Sequence, residues 1–334
     1  MSKATAETTA ETTKDLLVDV QGGLGLNINF ANLVPELLEK YDTVSIISPY
    51  TDVFECIDDS RISVYHPNTW KAALEDNPDA FIITGRIYDT NDFIKKTTTY
   101  HDAWRVKCQL KKGDEQSLTN LKQSALKPAK KFPHLVNQVQ QIQKYLEEHH
   151  YKNFILFQHT GGQSPLVQVP VKDNKPDWSQ VPYNGQNNGL SRHYPTDLAN
   201  EFVQKFKEKH PDTAVVSYSL PNEPYIEGTE RFQVPYLVYH ILADQPNCAG
   251  IVTIDSSLQH LVAGLNKPTI VLWGHTEPHT FGYENHHNII QKCNRDSIHY
   301  FTALGPAFNK ITYIKPDDLL KEVQEEIFNE KTEE

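Results

Sequence analysis

Short apolar runs alternate with amphipathic stretches along most of the chain. In the first half, the runs at residues 15–20, 44–47, 62–65 and 80–84 are typical of buried strands, and residues 28–40 carry apolar side chains at helical spacing. Strands that alternate with helices predict a parallel sheet with helices packed on its faces. The fold class expected for the first half is therefore α/β.

The same alternation restarts in the second half. An apolar helical stripe at 133–150 precedes strands predicted at 154–158, 214–219, 250–254 and 269–273 and helices predicted at 196–210, 236–242 and 256–265. Two such units indicate a pair of Rossmann-like domains. The predicted divisions are a flexible tail (1–14), a first domain (15–132), an interdomain helix (133–150), a second domain (151–315) and an acidic C-terminal helix or tail (316–334).

The composition is that of a folded protein. Hydrophobic residues make up 38% of the 334 residues and aromatic residues 10%, enough to build two cores. No apolar run approaches the roughly 20 residues that cross a bilayer, and the N-terminus lacks the features of a signal peptide. The four cysteines form no C-x-x-C pair, which argues against a disulfide scaffold or a zinc knuckle. We expect a cytoplasmic protein without membrane insertion and make no prediction of its oligomeric state.

Charge is distributed unevenly along the chain. The net charge of −11 argues against a general nucleic-acid coat. Residues 95–131 nevertheless hold ten basic residues against three acidic ones, a local charge of +7. This stretch is either a solvated linker or a surface for an anionic partner. Four of its lysines are candidate acceptor contacts: Lys111, Lys112, Lys130 and Lys131.

The strongest local signal lies at residues 250–278. A predicted strand ends at Asp255, Ser256 can cap the helix that follows, and Ser257 and His260 lie on its first turns. Ligands of open α/β sheets bind at the carboxyl ends of strands, and free amides at a helix start attract phosphate. The alternative is an ordinary N-cap with a surface histidine.

This segment also resembles a known family. D-S-x-x-x-H at 255–260, A-G-L-x-K-P at 263–268 and W-G-x-T-x-P at 273–278 are similar to the sugar-nucleotide site of heptosyltransferase-like glycosyltransferases, family 9 of the GT-B fold. The resemblance extends loosely over residues 15–290 and is nearest to uncharacterised bacteriophage and bacterial members. It implies two Rossmann-like domains that face each other across a cleft.

The resemblance implies an inverting transfer from a nucleoside-diphosphate sugar, with no cofactor or essential metal. The sequence contains no D-x-D motif, the usual metal–diphosphate bridge of the other large glycosyltransferase fold. Main-chain amides would then stabilise the diphosphate. The donor-binding residues implied are Thr160, Gly161, Gly162, Gln163, Asp255, Ser256, Ser257 and His260, with Thr276 and Lys267 as weaker candidates.

The catalytic base is left open by the sequence. The better-known heptosyltransferases place an acid just after a glycine turn; here the turn is Gly22, Gly23 and Gly25, and Leu26 and Asn27 stand where the acid is expected. An inverting transfer still needs a group that accepts the acceptor's proton. The candidates are Asp102, His101 and Asp89, each of which can equally be a solvated loop residue.

Histidines and Glu277 near residues 275–287 are metal ligands by residue type, but Pro278 breaks their helical spacing, and we predict no metal site.

The +7 stretch suggests an anionic acceptor, either a lipopolysaccharide core or DNA with a hydroxylated base. The alternatives to a transferase are a nucleotide-sugar epimerase of similar fold and a non-catalytic nucleotide-sugar-binding protein.

Overall fold

The computed structural model describes residues 15–95, 97–113, 118–161, 171–172, 175–176, 192–293 and 311–330, without the side chains of Asp89, Ile94 and residues 171–172 and 175–176. The predicted tail at 1–14 therefore lies outside the described residues. Within these ranges the chain forms two parallel sheets, each flanked by helices. The α/β class predicted from the alternating pattern is confirmed.

The first domain is built on a four-stranded parallel sheet of order β3-β2-β1-β4. Its central strand β1 is fully buried at Leu16, Leu17 and Val18, as a strand covered on both faces requires. The elements of this half are β1 (Asp15–Asp19), α1 (Leu24–Ala31), α2 (Val34–Lys40), β2 (Thr43–Ile47), α3 (Thr51–Glu55), β3 (Ile62–Tyr65), α4 (Trp70–Asp76), β4 (Phe81–Ile83), α5 (Asn91–Ile94), α6 (Tyr100–Lys107), α7 (Pro128–Lys131) and α8 (Pro133–Glu148).

The second domain carries a six-stranded parallel sheet of order β12-β11-β10-β5-β8-β9 and a separate two-stranded antiparallel pair. None of the helices in the described part of the chain is long and apolar enough to span a bilayer. The elements are β5 (Asn153–Phe157), β6 (Val171–Lys172), β7 (Lys175–Pro176), α9 (Thr196–Lys209), β8 (Thr213–Ser217), β9 (Glu230–Arg231), α10 (Tyr236–Ala243), β10 (Cys248–Ile254), α11 (Ser257–Val262), β11 (Thr269–Trp273), α12 (Pro278–Phe281), β12 (His287–Ile290) and α13 (Pro316–Glu326).

The helix predicted at 28–40 is wrong in its bounds. The structure begins α1 at Leu24, directly after the glycine turn, and interrupts the helix after Ala31. A second helix then runs from Val34, with Pro35 in its first turn. Proline is tolerated there because its missing N–H has no helical partner at that position, whereas a continuous helix would have lost a hydrogen bond.

Two amphipathic helices frame the second domain. The predicted apolar stripe of α8 is buried at Leu135, Val139, Ile142 and Leu146, and this helix contacts α10. The acidic helix α13 packs against α9 and buries Leu319 and Val323 in the second core. The C-terminal helix is thus part of the second domain's packing, with its acidic face outward.

A segment of the first half, residues 118–126, ties the two domains together. Ser124 N donates a hydrogen bond to the carbonyl of Gly264 at 3.3 Å, and Glu284 N donates to the carbonyl of Thr119 at 3.0 Å. Gly264 adopts a φ of +78°, and a Cβ there would lie 2.4 Å from Ser124 N. Glycine is therefore required at this contact for both conformation and space.

Candidate functional site

The carboxyl end of β10 places Asp255 in a fixed position. The side chain is 3% exposed. Its Oδ1 accepts a hydrogen bond from Gln259 Nε2 at 2.7 Å, and Arg192 Nη1 lies 3.7 Å from Oδ2. One carboxylate oxygen is held by the helix that follows the strand and the other by a cation. Asp255 therefore sets the geometry at the start of α11.

Ser256 and Ser257 are half-buried where α11 begins. The expectation that the Ser256 hydroxyl caps this helix is wrong: it accepts a hydrogen bond from Gln158 Nε2 at 3.1 Å instead. The Ser257 hydroxyl lies 3.0 Å from the Tyr218 hydroxyl. Because the N-cap side chain leaves the first turn uncapped, the main-chain amides there keep their capacity to bind an anion.

The loop after β5 approaches this turn closely. A Cβ on Gly161 would lie 2.6 Å from Ser256 Oγ, so that a larger residue would require the Ser256 hydroxyl to move. Thr160 is buried next to it. The predicted donor residues Gly162 and Gln163 lie outside the described residues. The structure thus brings Thr160 and Gly161 together with the start of α11.

His260 links the second domain to the first. Its Nδ1 lies 2.9 Å from the Tyr283 hydroxyl, and that hydroxyl accepts a hydrogen bond from Asn29 Nδ2 at 3.0 Å. Asn29 belongs to α1, so the network crosses the domain interface. Burial lowers the pKa of His260 to about 3, and neighbouring histidines and Arg192 add to this effect. The imidazole is therefore neutral at pH 7.

The glycine turn of the first domain is braced by Asn27. The Asn27 amide nitrogen donates to the carbonyls of Gly22 at 3.3 Å and Gly23 at 3.0 Å, and its oxygen accepts from Ser48 Oγ at 2.7 Å. A carboxylate at this position would lack the two donor hydrogens. The residue that stands where the family acid is expected is therefore used to hold the turn that Gly22 makes at a φ of +140°.

The third glycine of the turn, Gly25, touches the second domain. A Cβ at Gly25 would lie 2.7 Å from His260 Cδ2, whereas a Cβ at Gly23 would meet nothing within 4 Å. We expect Gly25→Ala to lower the free energy of unfolding by about 1–3 kcal/mol, because the buried imidazole has no room to move. Gly23→Ala is the matched control in the same turn. Chemical denaturation of both variants tests this, and equal stabilities would contradict it.

Among the candidate bases, His101 lies within electrostatic reach of His260. It is 3% exposed, and burial, with a smaller contribution from Arg105, lowers its pKa to about 3. It is close enough to His260 to lower the pKa of that residue as well. His101 Nδ1 is buried and has no hydrogen-bond partner among the residues that the structure describes. A neutral imidazole with a free nitrogen is chemically able to accept a proton.

The other two candidates are placed differently. Asp102 Oδ1 accepts hydrogen bonds from Arg105 Nη1 at 3.0 Å and from Gly113 N at 2.9 Å. Arg105 also binds Glu36, so that Asp102 is part of an ion-pair network inside the first domain. Asp89 ends a short 3-10 turn, and its side chain lies outside the description.

The four candidate acceptor lysines lie in two parts of the first domain. Lys130 and Lys131, on α7, both pair with Asp58. Lys112 Nζ lies 3.8 Å from Asp92 Oδ2, and Lys111 is exposed beside it in the segment after α6. Acids of the same domain therefore compensate part of the positive charge that the sequence concentrates at 95–131.

Side chains of β11 and of the turn that follows it are buried. Trp273 is fully buried and donates a hydrogen bond to Asn288 Oδ1 at 2.8 Å, and Thr276 is buried nearby. His287 Nε2 lies 2.9 Å from Glu322 Oε2 on α13. No group of three or more His, Cys, Asp or Glu side chains suited to a metal ion occurs in the described ranges.

Several residues at this interface were not selected from the sequence. Tyr283 binds His260, and Asn29 binds Tyr283 across the domains. Gln158 binds Ser256, and Arg192 and Gln259 bind Asp255. Their partners lie up to 254 positions away in the chain. Gln259 alone carried a local signal, since it stands four positions after Asp255 on a predicted helix.

Comparisons with known proteins concern the family resemblance and the fold. Residues 243–303 match the model of glycosyltransferase family 9 (heptosyltransferase). No curated protein sequence matches the chain. Among solved structures, the chain resembles a glycosyl transferase family 9 protein from Veillonella parvula, with a TM-score of 0.56, 14% identity, and coverage of 95% of this chain and 98% of that one.

Two structures from E. coli are also similar. ADP-heptose lps heptosyltransferase II has a TM-score of 0.60 and 13% identity over 94% of this chain and 99% of that chain. TibC, described as a dodecameric iron-containing heptosyltransferase in complex with ADP-D-beta-D-heptose, has a TM-score of 0.50 and 11% identity over 87% of this chain and 65% of that one. These likenesses concern the fold.

The fold and the matched segment both agree with the resemblance seen in the sequence. The protein's two Rossmann-like domains have the GT-B arrangement of the glycosyltransferases to which it is similar. The family match extends from the end of α10 through Asp255 and beyond the turn after β11, which is the segment that carries the resemblance in the sequence. The family match over residues 243–303 and the fold of the similar solved structures confirm the heptosyltransferase-like resemblance predicted from the motifs.

Proposed function

We propose that the protein transfers a sugar from a nucleoside diphosphate to a hydroxyl of an anionic acceptor, with inversion at the anomeric carbon and without an essential metal. One observation carries the proposal. The glycine turn of the first domain lies directly against α11 of the second, since a Cβ on Gly25 would be 3.5 Å from Ser257 Cα. The two loops suited to a close approach by phosphate thus meet at one interface.

The donor side of this interface is assigned to the second domain. Main-chain amides of Ser256 and Ser257 and the loop at Thr160–Gly161, with Gly162 and Gln163 beyond it, would hold the diphosphate. Asp255 would keep the turn in place, and Thr276 would lie at the edge of the site. Each preorganised donor aimed at the charge that develops on a leaving group contributes about 3–4 kcal/mol to catalysis.

We assign the acceptor's proton to His101. In the proposed step, the acceptor oxygen attacks the anomeric carbon while its proton passes to the neutral imidazole. The bond between that carbon and the diphosphate oxygen breaks, and the diphosphate leaves with the electron pair. A single displacement of this kind inverts the anomeric centre. Asp102, bound to Arg105, would act through the geometry of α6, and Asp89 remains a candidate by position alone.

The donor site is tested by two substitutions. Ser256→Ala and His260→Ala should each raise the donor dissociation constant by about tenfold, because each removes a polar group that holds the turn or faces the ligand. Isothermal titration calorimetry with a panel of nucleoside diphosphates and their sugars measures this, ADP-heptose among them. Ser45→Ala, which alters a hydroxyl bound to Asn77 in the first domain, is the control. Unchanged affinity in both variants would rule out this site.

The proposed acceptor-binding surface is tested by removing its positive charge. Neutralising Lys111, Lys112, Lys130 and Lys131 together to glutamine should weaken acceptor binding by about tenfold or more at low salt and reduce its salt dependence, while donor affinity stays the same. The probes are a phosphorylated lipopolysaccharide core and DNA with a hydroxylated base. Replacing Lys144 and Lys152, outside this stretch, is the control. Unchanged acceptor affinity would contradict the proposal.

A non-catalytic sugar-nucleotide-binding protein is the alternative that a specific observation favours. Asn27 occupies the place of the family acid and is engaged in holding the glycine turn. Donor binding without turnover across a broad acceptor panel would support this alternative. Transfer of the sugar to any acceptor, detected by mass spectrometry, would exclude it.

The cytoplasmic location of the protein remains a prediction.

A further inference from the structure

A buried hydrogen-bonded chain joins the two domains through His260. Asn29 Nδ2 lies 3.0 Å from the Tyr283 hydroxyl, and that hydroxyl lies 2.9 Å from His260 Nδ1. Asn29 is 1% exposed, Tyr283 is fully buried and His260 is 3% exposed. Because these groups are shielded from water, each hydrogen bond of the chain depends on its protein partner.

The direction of this chain follows from the chemistry of its first member. An amide nitrogen donates hydrogen bonds and accepts none, so the Tyr283 oxygen is the acceptor of the bond from Asn29. Tyr283 carries a single proton, which it then donates to His260 Nδ1. A ring nitrogen that accepts a hydrogen bond is unprotonated, and a neutral imidazole then carries its proton on Nε2.

We propose that Asn29 and Tyr283 are positioning residues that hold His260 as the tautomer protonated on Nε2. That edge of the ring faces the glycine turn of the first domain, since a Cβ on Gly25 would lie 3.3 Å from Nε2. The N–H donor is thus directed at the interface where the donor substrate is proposed to bind. The tautomer itself does not depend on the proposed function; its use for binding does.

The chain also couples the tautomer to the contact between the domains. Asn29 is on α1, whereas Tyr283 and His260 belong to the second domain. If the domains separate, the Tyr283 oxygen loses its donor, and it is then equally able to accept a hydrogen bond from a protonated Nδ1. Packing of α1 on α11 therefore selects the tautomer that presents a hydrogen-bond donor to the interface.

Nitrogen NMR of the full-length protein with ¹⁵N-labelled histidine tests the proposal directly. The His260 signals are identified by their loss in His260→Gln. At pH 7.5 we expect an unprotonated Nδ1 and a proton on Nε2. A proton on Nδ1, or a doubly protonated ring, would overturn the proposal.

Two substitutions test the roles of the partners. Tyr283→Phe and Asn29→Leu should each lower the ratio of the two tautomers at least about fivefold, the effect of losing one buried hydrogen bond. Tyr194→Phe, which removes a buried hydroxyl bound to the carbonyl of Ile314, is the control and should leave the ratio unchanged. Circular dichroism identifies a variant that fails to fold. In that case the other of the two variants provides the test. An unchanged ratio in a folded Tyr283→Phe or Asn29→Leu protein would overturn the assignment.

Donor titrations of the same proteins separate this proposal from the proposed function. Loss of the tautomer preference together with weaker donor binding supports both. An intact Nε2–H tautomer in a wild-type protein that binds no nucleotide sugar would support the positioning role and contradict the donor site.

Discussion

A His101→Gln protein should transfer sugar about 10²–10⁴ times more slowly than the wild type, with donor affinity unchanged. Burial lowers the pKa of His101 to about 3, so the imidazole is in its basic form at neutral pH. Glutamine has a similar size and remains polar, but it does not accept a proton at this pH. Turnover with saturating donor and acceptor, together with the donor dissociation constant, measures the effect.

The neighbouring Asp102 provides the comparison for this experiment. Its carboxylate binds Arg105 and the main chain of Gly113, so Asp102→Asn should mainly lower the free energy of unfolding, by about 1–3 kcal/mol. A normal rate in His101→Gln would contradict the assignment of the base. A large loss of rate in a stable Asp102→Asn protein would transfer the role to the carboxylate.

Mild acid should unfold the protein, with a midpoint at about pH 5–6. Five buried histidines have pKa values lowered to about 3, in each case chiefly by burial: His101, His159, His240, His260 and His286. An unfolded histidine has a pKa of about 6.5. Below that value the unfolded chain binds protons that the folded chain does not, and stability falls as the pH drops towards 3.

The size of this effect is comparable with the whole stability of a domain. Each such histidine removes up to about 1.4 kcal/mol per pH unit, and five together remove up to roughly 7 kcal/mol per unit. Folded proteins are stable by about 5–15 kcal/mol. Full stability is therefore expected above pH 6.5, and most of it is lost within one to two units below that pH.

Tryptophan fluorescence and circular dichroism as a function of pH measure the transition. The slope of the unfolding constant against pH reports the number of protons taken up. His286→Gln, which replaces a buried histidine, should reduce that number by about one. Native fluorescence and circular dichroism at pH 4.5 would contradict the expectation.

The strands of the fold could be predicted from the sequence because a buried strand is a short run of apolar residues. The runs at β1, β2, β5, β10 and β11 are apolar since both faces of a parallel sheet are covered, and each was placed within one or two residues. The helix at 28–40 was misplaced because its apolar spacing continues across the break between α1 and α2. The position of Pro35 in the first turn of α2 was the available signal for that break.

The candidate site was accessible in part. The motif at 255–260 predicted Asp255, Ser256 and His260. These residues are close together in the sequence and also in the structure, so that a local pattern is enough to find them. Their partners Asn29 and Tyr283 were missed because hydrogen bonds between the domains depend on how the two sheets pack together, which no local pattern records.

The glycine turn shows the value of a departure from a family pattern. The sequence indicates that Asn27 replaces an expected acid but gives no reason. In the structure the amide donates to two carbonyls of the turn and accepts from Ser48, a combination that a carboxylate lacks. Two of the base candidates predicted from the sequence, His101 and Asp102, lie on α6, which packs on α1.

A crystal structure of the protein with a nucleoside diphosphate, chosen by thermal-shift screening, is the most direct measurement of where the donor binds. We expect a diphosphate oxygen within about 3 Å of the main-chain nitrogen of Ser256 or Ser257, with the Thr160–Gly161 loop on one side and His260 on the other. A diphosphate bound elsewhere on the protein, with the start of α11 unoccupied, would contradict the donor site proposed here.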